Sequence, residues 1–534
     1  MDDPVRIVYL YHNRILTLPL INSLLYKLQI FLYEKELINI ILISSRKNKL
    51  RSELLKRISK RTTYLICRSF KFGRLLYKIK CEKILDINIK NTSLLNEKDI
   101  YSLMWTLVFT DFISSRTKKS LTDFIPANLP IKHIAVIPFN DSFDLVCDYI
   151  LQTAKTLSRK GFLVQLIALG SPISIFKLIF RFKNNYQKTG FFLQNNIVIN
   201  FPLSFVPTNL QKINLMNTIN RKFMILYSVL MMRIIKADYL WCFDPTDYEL
   251  VEKTKNTTKS IYDCADYFST LNTDVNKKIR TEEEKLIKMA DYFFVNSKIL
   301  FKTKKVIKKP NAVVPQGFDL ESFDTNLPLS LTEKGEIKNV GKIFSKINKP
   351  IIGYVGNITY RLDFKLLSSL VRKMPNVAFV FTDAFLSIPL DDSFVDTKKR
   401  ITELRKAKNI YFVPKTQHRR VVKEILRNID IGMIPYNIEF DFNRYCYPMK
   451  LFEYFYQGIP VISTPIEELR RFPDFVKIGN SDEDWEKIIN ELIARQWPIK
   501  NSSDEKTLAV QNSWEMKIDS ILNILNQNIS QDHT

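Results

Sequence analysis

The stretch Asp430–Thr464, DIGMIPYNIEFDFNRYCYPMKLFEYFYQGIPVIST, decides the fold. The apolar run Asp430–Pro435 ends in proline and Val461–Ser463 is a second run, so both suit strands covered on two faces of a parallel sheet. Between them Met449, Phe452 and Tyr456 recur at helical spacing. Pro448 stands where a first helical turn accepts proline, and Gly458 is placed to stop the helix before Pro460. The pattern predicts strand, long loop, helix, tight turn, strand: a βαβ unit. Its helix should start beside the carboxyl ends of the strands, where open α/β sheets bind ligands and helical N–H groups favour an anion.

Lys450 falls in the first turn of that helix, where a cation opposes the helix dipole unless an anion is bound there. Glu453 lies one turn deeper on the same face as Lys450 and Gln457. Its carboxylate could accept two hydrogen bonds from vicinal hydroxyls such as those of a ribose. Together they suggest a nucleotide-diphosphate site; the plainer alternative is a solvated pair at i and i+3.

The run Pro448, Lys450, Leu451, Phe452, Glu453, Tyr454, then Gly458, Pro460, Val461, Ile462, resembles the donor-binding signature P-x-K-x-x-E-Y, G-x-P-V-I of bacterial glycosyltransferases of the GT-B fold. It is most similar to the branch related to glycosyltransferase family 4 that includes teichuronic-acid-type enzymes. The resemblance implies an α/β fold of two Rossmann-like doubly wound domains facing a cleft. It also implies that Glu453 holds the ribose of a sugar nucleotide. The family usually carries a second glutamate eight residues earlier, where this chain has Tyr445; Glu439 and Asp441 are the candidates to replace it.

Pro350–Tyr354 reads as the first strand of the same domain, and GYVGN turns from it toward a helix at Asp363. The chain has only 12 glycines, about 2% against a usual ~7%, so two in one turn stand out. Gly353 and Gly356 could let a phosphate approach backbone N–H groups. The family places an arginine after the second glycine and a lysine soon after, where this chain has Asn357 and Leu362; Arg361 is the candidate substitute. The donor-binding set is therefore Glu453, Lys450, Pro448, Gly356, Asn357, Arg361, Arg444 and Tyr447.

For the acceptor, Asp263 and Asp266 follow the short strand Ser260–Tyr262, at a sheet's carboxyl edge. The resembled enzymes have a matching D-x-x-D after a W-x-x-x-P strand (Trp241, Pro245 here), then A-D-x-x-x-x-x-S (Ala290, Asp291, Ser297) and P-x-G-x-D-x-x-x-F (Pro315 to Phe323). Asp266, with Asp263, is the catalytic candidate; strand-end capping is the alternative. His133, expected to be buried on a strand, and His418, at a helix start, are poor candidates for a base.

The chain has 534 residues, room for roughly three or four units. They are read as an α/β extension of unknown role over 1–127, an acceptor domain over 128–330, a polar lysine-rich linker over 331–348 and a donor domain over 349–500. A C-terminal helix over 501–534 is expected to cross back to the N-terminal domain. Strands at Arg6–Tyr11 and Ile38–Ile43 around a helix at Leu18–Glu34 open the extension. Net charge is +25 but diffuse, without a recognition motif, so nucleic acid is not expected as a partner. Six cysteines form no C-x-x-C pair, which fits a reducing cytoplasm and gives no metal spacing. No cofactor is expected beyond a UDP- or GDP-sugar as co-substrate. The basic amphipathic stretch near 171–183 suits core packing with a basic rim or, alternatively, peripheral contact with an anionic membrane.

The expected function is a metal-independent glycosyltransferase, retaining by resemblance. It would act on a saccharide or lipid-linked acceptor in cell-envelope or exopolysaccharide synthesis. The alternatives are a catalytically degenerate GT-B-fold scaffold and a nucleotide-sugar epimerase.

Overall fold

The computed structural model describes residues 7–11, 40–44, 64–67, 83–85, 133–139, 148–169, 193–194, 197–200, 214–235, 237–268, 273–383, 395–416, 418–495 and 497–531. The chain divides into two compact units, Met1–Ile261 with Met289–Asp291, and Tyr262–Lys288 with Tyr292–Thr534.

In the first unit β1 (Ile7–Tyr11), β2 (Ile40–Ser44), β3 (Tyr64–Cys67) and β4 (Lys83–Leu85) form a parallel sheet in the order β2-β1-β3-β4. The helix expected over 18–34 lies outside the described residues, as does the amphipathic stretch near 171–183. Then come β5 (His133–Phe139), α1 (Asp148–Arg159), β6 (Phe162–Ala168), β7 (Leu193–Gln194), β8 (Ile197–Asn200), α2 (Asn214–Ile235) and β9 (Tyr239–Cys242). β5 pairs in parallel with β6 and β9, β6 pairs in parallel with β8, and β7 is antiparallel to β8. Ile134 to Ile137 are all buried, as a central strand covered on both faces requires. His133 departs from expectation: it opens the strand, its side chain is 40% exposed, and its ring rests against Phe162 and Tyr239.

Strand β10 (Lys259–Cys264) passes from the first unit into the second. The second unit continues with α3 (Thr273–Met289), β11 (Tyr292–Val295), α4 (Lys298–Lys304), β12 (Ala312–Val313), α5 (Leu331–Phe344), β13 (Ile351–Tyr354), α6 (Phe364–Lys373), β14 (Ala378–Asp383), α7 (Val395–Leu404), β15 (Ile410–Pro414) and α8 (Arg419–Arg427). It ends with β16 (Ile431–Ile434), α9 (Lys450–Gln457), β17 (Val461–Ser463), β18 (Val476–Ile478), α10 (Asp482–Ala494), α11 (Ile499–Gln511) and α12 (Trp514–Gln531).

Strands β13 to β18 form a parallel sheet in the order β15-β14-β13-β16-β17-β18. The chain winds outward from β13 in one direction, then returns and winds the other way from β16, so the point of reversal lies between those two strands. The predicted βαβ unit is β16-α9-β17, and α9 ends on Gly458 in the left-handed conformation.

The linker expectation needs correction. Over 331–344 the chain is helix α5, started by a reciprocal capping box between Ser330 and Glu333 and packed into the core through Val340 and Phe344. Gly335 and Gly341 face open space; they weaken the helix without breaking it. The S-x-x-E pattern at 330–333 was the signal for this start. Residues 262–330 associate with the C-terminal part for identifiable reasons. Lys517 of α12 reaches Asp263, and Glu468 accepts from the N–H of Ile299.

Candidate active site

The site residues of the second unit gather where its sheet reverses. Gly432 of β16 lies directly opposite Gly353 of β13, and a Cβ on Gly432 would stand 2.6 Å from the ring of Tyr454. Only the bare backbone lets that ring lie against the strand. The buried Tyr454 hydroxyl then lies 3.1 Å from the carbonyl of Gly353 and 3.2 Å from that of Met433, and it accepts from the N–H of Val355. The last residue of the P-x-K-x-x-E-Y signature is thus a peg between the two strands that bound the crevice.

Above the peg, the backbone turns at Gly356 with φ +151°, a conformation that disfavours any side chain. The Gly356 N–H donates to Thr382 Oγ1 at 3.0 Å, and the Thr382 hydroxyl donates back to the Gly356 carbonyl at 2.7 Å. Lys450 comes in from the first turn of α9. Its Nζ would lie 3.5 Å from a Cβ on Gly356, donates to the Tyr436 hydroxyl at 2.6 Å, and sits over the rings of Tyr354 and Tyr436. Burial works against its charge, but Tyr354 and Tyr436 outweigh that and raise its pKa above the usual lysine range. The ammonium is therefore charged at neutral pH and held against a backbone turn.

Arg361 arrives at the same place. Its Nε donates to the Asn443 side chain at 2.8 Å, and its guanidinium covers the rings of Tyr436 and Phe442. Buried Asn443 donates in return to the carbonyls of Arg361 and Asn437, which ties the β13–α6 loop to the loop after β16. Asp266 belongs to this neighbourhood. Burial raises its carboxyl pKa and the Arg361 charge pulls it back down, while its Oδ1 accepts from the N–H of Tyr267 at 2.9 Å. Burial pushes the Cys446 thiol up to about 12; Arg361, Asp266 and Lys450 all act on it. Lys450, Arg361 and Asp266 are thus all near enough to act on the buried Cys446 thiol.

Glu453 points along α9 into a polar contact. Its carboxylate, 13% exposed, pairs with the Arg419 guanidinium at the start of α8. Asn357 is exposed beside Gly356, and Arg444 donates from Nε to the carbonyl of Ile438 at 3.2 Å. The Pro448 carbonyl accepts from Leu451 N at 3.1 Å, as a helix start requires.

Two expected residues stand elsewhere. Asp263 does not face the site: it is fully buried, and Lys517 Nζ lies 3.0 Å from its carboxylate. Strand alternation explains this, since Tyr262 and Cys264 point the other way, toward Glu283. Tyr447 is a core residue, its ring against Phe452 and Phe472 and its hydroxyl pKa raised by burial. Tyr445, where the family has a glutamate, packs its ring 5.0 Å from that of Tyr267. Sequence reading missed Tyr436, Asn443 and Arg419, none of which carries a local pattern.

No family model matches the chain. Over 239 residues it is 26% identical to a protein of Bacillus subtilis (strain 168), TuaH, that carries the name of a teichuronic acid biosynthesis glycosyltransferase; the match spans 42% of this chain and 55% of that one. The fold is similar to Anabaena HepE in complex with UDP-glucose, at 12% identity and TM-score 0.54, covering 74% of this chain and 100% of HepE. It is likewise similar to a sucrose-phosphate synthase of Thermosynechococcus elongatus, at 13% identity and TM-score 0.52, covering 75% and 100%. A glycosyltransferase of Rickettsia africae matches at 14% identity and TM-score 0.51, covering 74% and 98%. The α/β fold of this chain is that of the GT-B glycosyltransferases, and the resemblance seen in its sequence holds in three dimensions. Among the described residues no helix is long and apolar enough to cross a membrane.

Proposed function

We propose that this chain is a glycosyltransferase. It would move a sugar from a nucleotide-diphosphate sugar, UDP- or GDP-linked, to a saccharide or lipid-linked acceptor in cell-envelope or exopolysaccharide synthesis. One observation carries the reading: a charged Lys450 held against the Gly356 turn at the reversal point of a doubly wound sheet, with Glu453 one turn deeper on the same helix. The diphosphate would lie at the start of α9 and the ribose diol would donate to Glu453. As the glycosidic bond to the diphosphate breaks, charge would build on the leaving oxygen, and Lys450 and Arg361 would stabilise it. Asp266, beside Arg361, is the carboxylate that would orient the incoming hydroxyl.

The name of the Bacillus relative supports the envelope-polysaccharide setting, and the UDP-glucose in HepE supports the donor class. Transfer is read as retaining and the leaving group as steadied by side chains rather than a metal. The enzyme would work in the cytoplasm, in peripheral contact with an anionic membrane that presents lipid-linked acceptors.

The test is calorimetry with UDP and GDP on the wild-type chain and on Glu453→Ala. Loss of one hydrogen-bonded charged partner should weaken binding by about 1.5 to 3 kcal/mol. Equal binding by both proteins for every nucleotide would overturn the site. Release of sugar from the nucleotide only when acceptor is added separates a transferase from a binding scaffold and from an epimerase.

A further inference from the structure

We infer that Arg419 is a positioning residue for nucleotide recognition: it fixes the Glu453 carboxylate in the orientation that receives the ribose diol. This rests on the sugar-nucleotide reading of the site and adds to it a residue from another helix.

Glu453 alone is a flexible side chain on α9, and a carboxylate that must accept from two hydroxyls at once loses affinity if it has to be ordered by the ligand. Arg419 removes that freedom. Its guanidinium pairs with Glu453 Oε1 and stacks over the ring of Phe323 at 5.5 Å, and Phe323 is itself fully buried among Phe318 and Tyr456. An ionised carboxylate has about four acceptor positions, so this contact leaves room for a vicinal diol.

The helix that carries Arg419 is anchored without a ligand. Arg420 grips Glu333 with Nε at 2.9 Å and Nη2 at 2.6 Å, which holds the Glu333 carboxyl down to about 2. Lys423 donates to Asp324 at 2.5 Å, and Asp324 also accepts from Tyr456 of α9. Three cations along α8 thus meet three carboxylates on separate segments.

The placement is not explained by the helix itself. The first turn of α8 has no acidic residue and two arginines, an arrangement that works against the helix dipole. Arg420 has its own carboxylate in the capping box of α5, so Arg419 is the one whose partner lies on the signature helix.

The test is a comparison of UDP with 2′-deoxy-UDP by calorimetry on wild type, Arg419→Met, Arg419→Lys and Glu453→Gln, with thermal unfolding of each. Wild type should prefer UDP about tenfold, the worth of one charge-assisted hydrogen bond. Arg419→Met should lose most of that preference while its affinity for 2′-deoxy-UDP changes less than threefold, and Arg419→Lys should regain part of it. Adding Arg419→Met to Glu453→Gln should cost nothing more. Undiminished preference in Arg419→Met overturns the proposal, and so does an equal loss for both nucleotides with a lowered melting temperature. Failure of wild type to bind UDP or GDP overturns the sugar-nucleotide reading itself.

Discussion

The signature helix and the carboxyl end of β10 each offered a pair of charged residues to sequence reading, and they fared differently. Lys450 and Glu453 stand on one face of α9, as helical spacing required. Asp263 and Asp266, three residues apart, part company: one is sealed against Lys517, the other lies beside Arg361. The difference lies in the distance to the deciding partner. Face-sharing on a helix is a property of the helix alone, whereas Lys517 is separated from Asp263 by 254 residues.

The sharpest way to break this contrast is to remove the distant cation. Lys517→Met leaves a buried carboxylate without a counter-charge and should destabilise the chain by about 3 to 5 kcal/mol, read by chemical denaturation. The double variant with Asp263→Asn should recover a large part of that loss. A Lys517→Met protein as stable as wild type would mean that the pair does not hold α12.

Glu505 gives the complementary case, a buried carboxyl with no cation paired to it among the described residues. It accepts from the Trp497 indole at 3.0 Å, and burial pushes it up to about 8. A folded-state pKa above the unfolded one means that folding takes up a proton between the two values. This contribution is therefore complete below the ordinary carboxyl range and is lost as pH rises through about 8. At 1.36 kcal/mol per pH unit the ceiling is ~5 kcal/mol, and relaxation of α11 toward water should leave about 3 kcal/mol. Denaturation midpoints of wild type should fall between about pH 5 and pH 9, and Glu505→Gln should flatten the decline. Parallel profiles for the two proteins would refute this account.

The smallest effect belongs to a purely local device. Ser330→Ala should cost roughly 1 kcal/mol by opening the capping box of α5, a change small enough to need matched denaturation curves. No change would show that the capping box adds nothing to the hold that Val340, Phe344 and the Glu333–Arg420 pair have on α5.

How much was legible follows the same rule. The βαβ unit at 430–464, its Gly458 stop and the start of α9 were readable because the information lies within a few turns of chain. Helix α5 was readable too, through S-x-x-E, but the glycines and lysines around it suggested a linker instead. The roles of Tyr447, buried between Phe452 and Phe472, and of Asp263 depended on packing between remote segments. Arg419 is one of four cations on α8, and nothing local singled it out as the partner of Glu453, 34 residues away.

The phenol of Tyr454 has one further consequence. Because a single oxygen spans the carbonyls of neighbouring strands, the floor of the crevice and the spacing of the sheet are one mechanical part. On the proposed sugar-nucleotide reading, relatives that take a different sugar or base could not remodel that floor without loosening the sheet. Such divergence should collect in the loop from Tyr436 to Tyr447, where side chains can change while the strands beneath keep their separation.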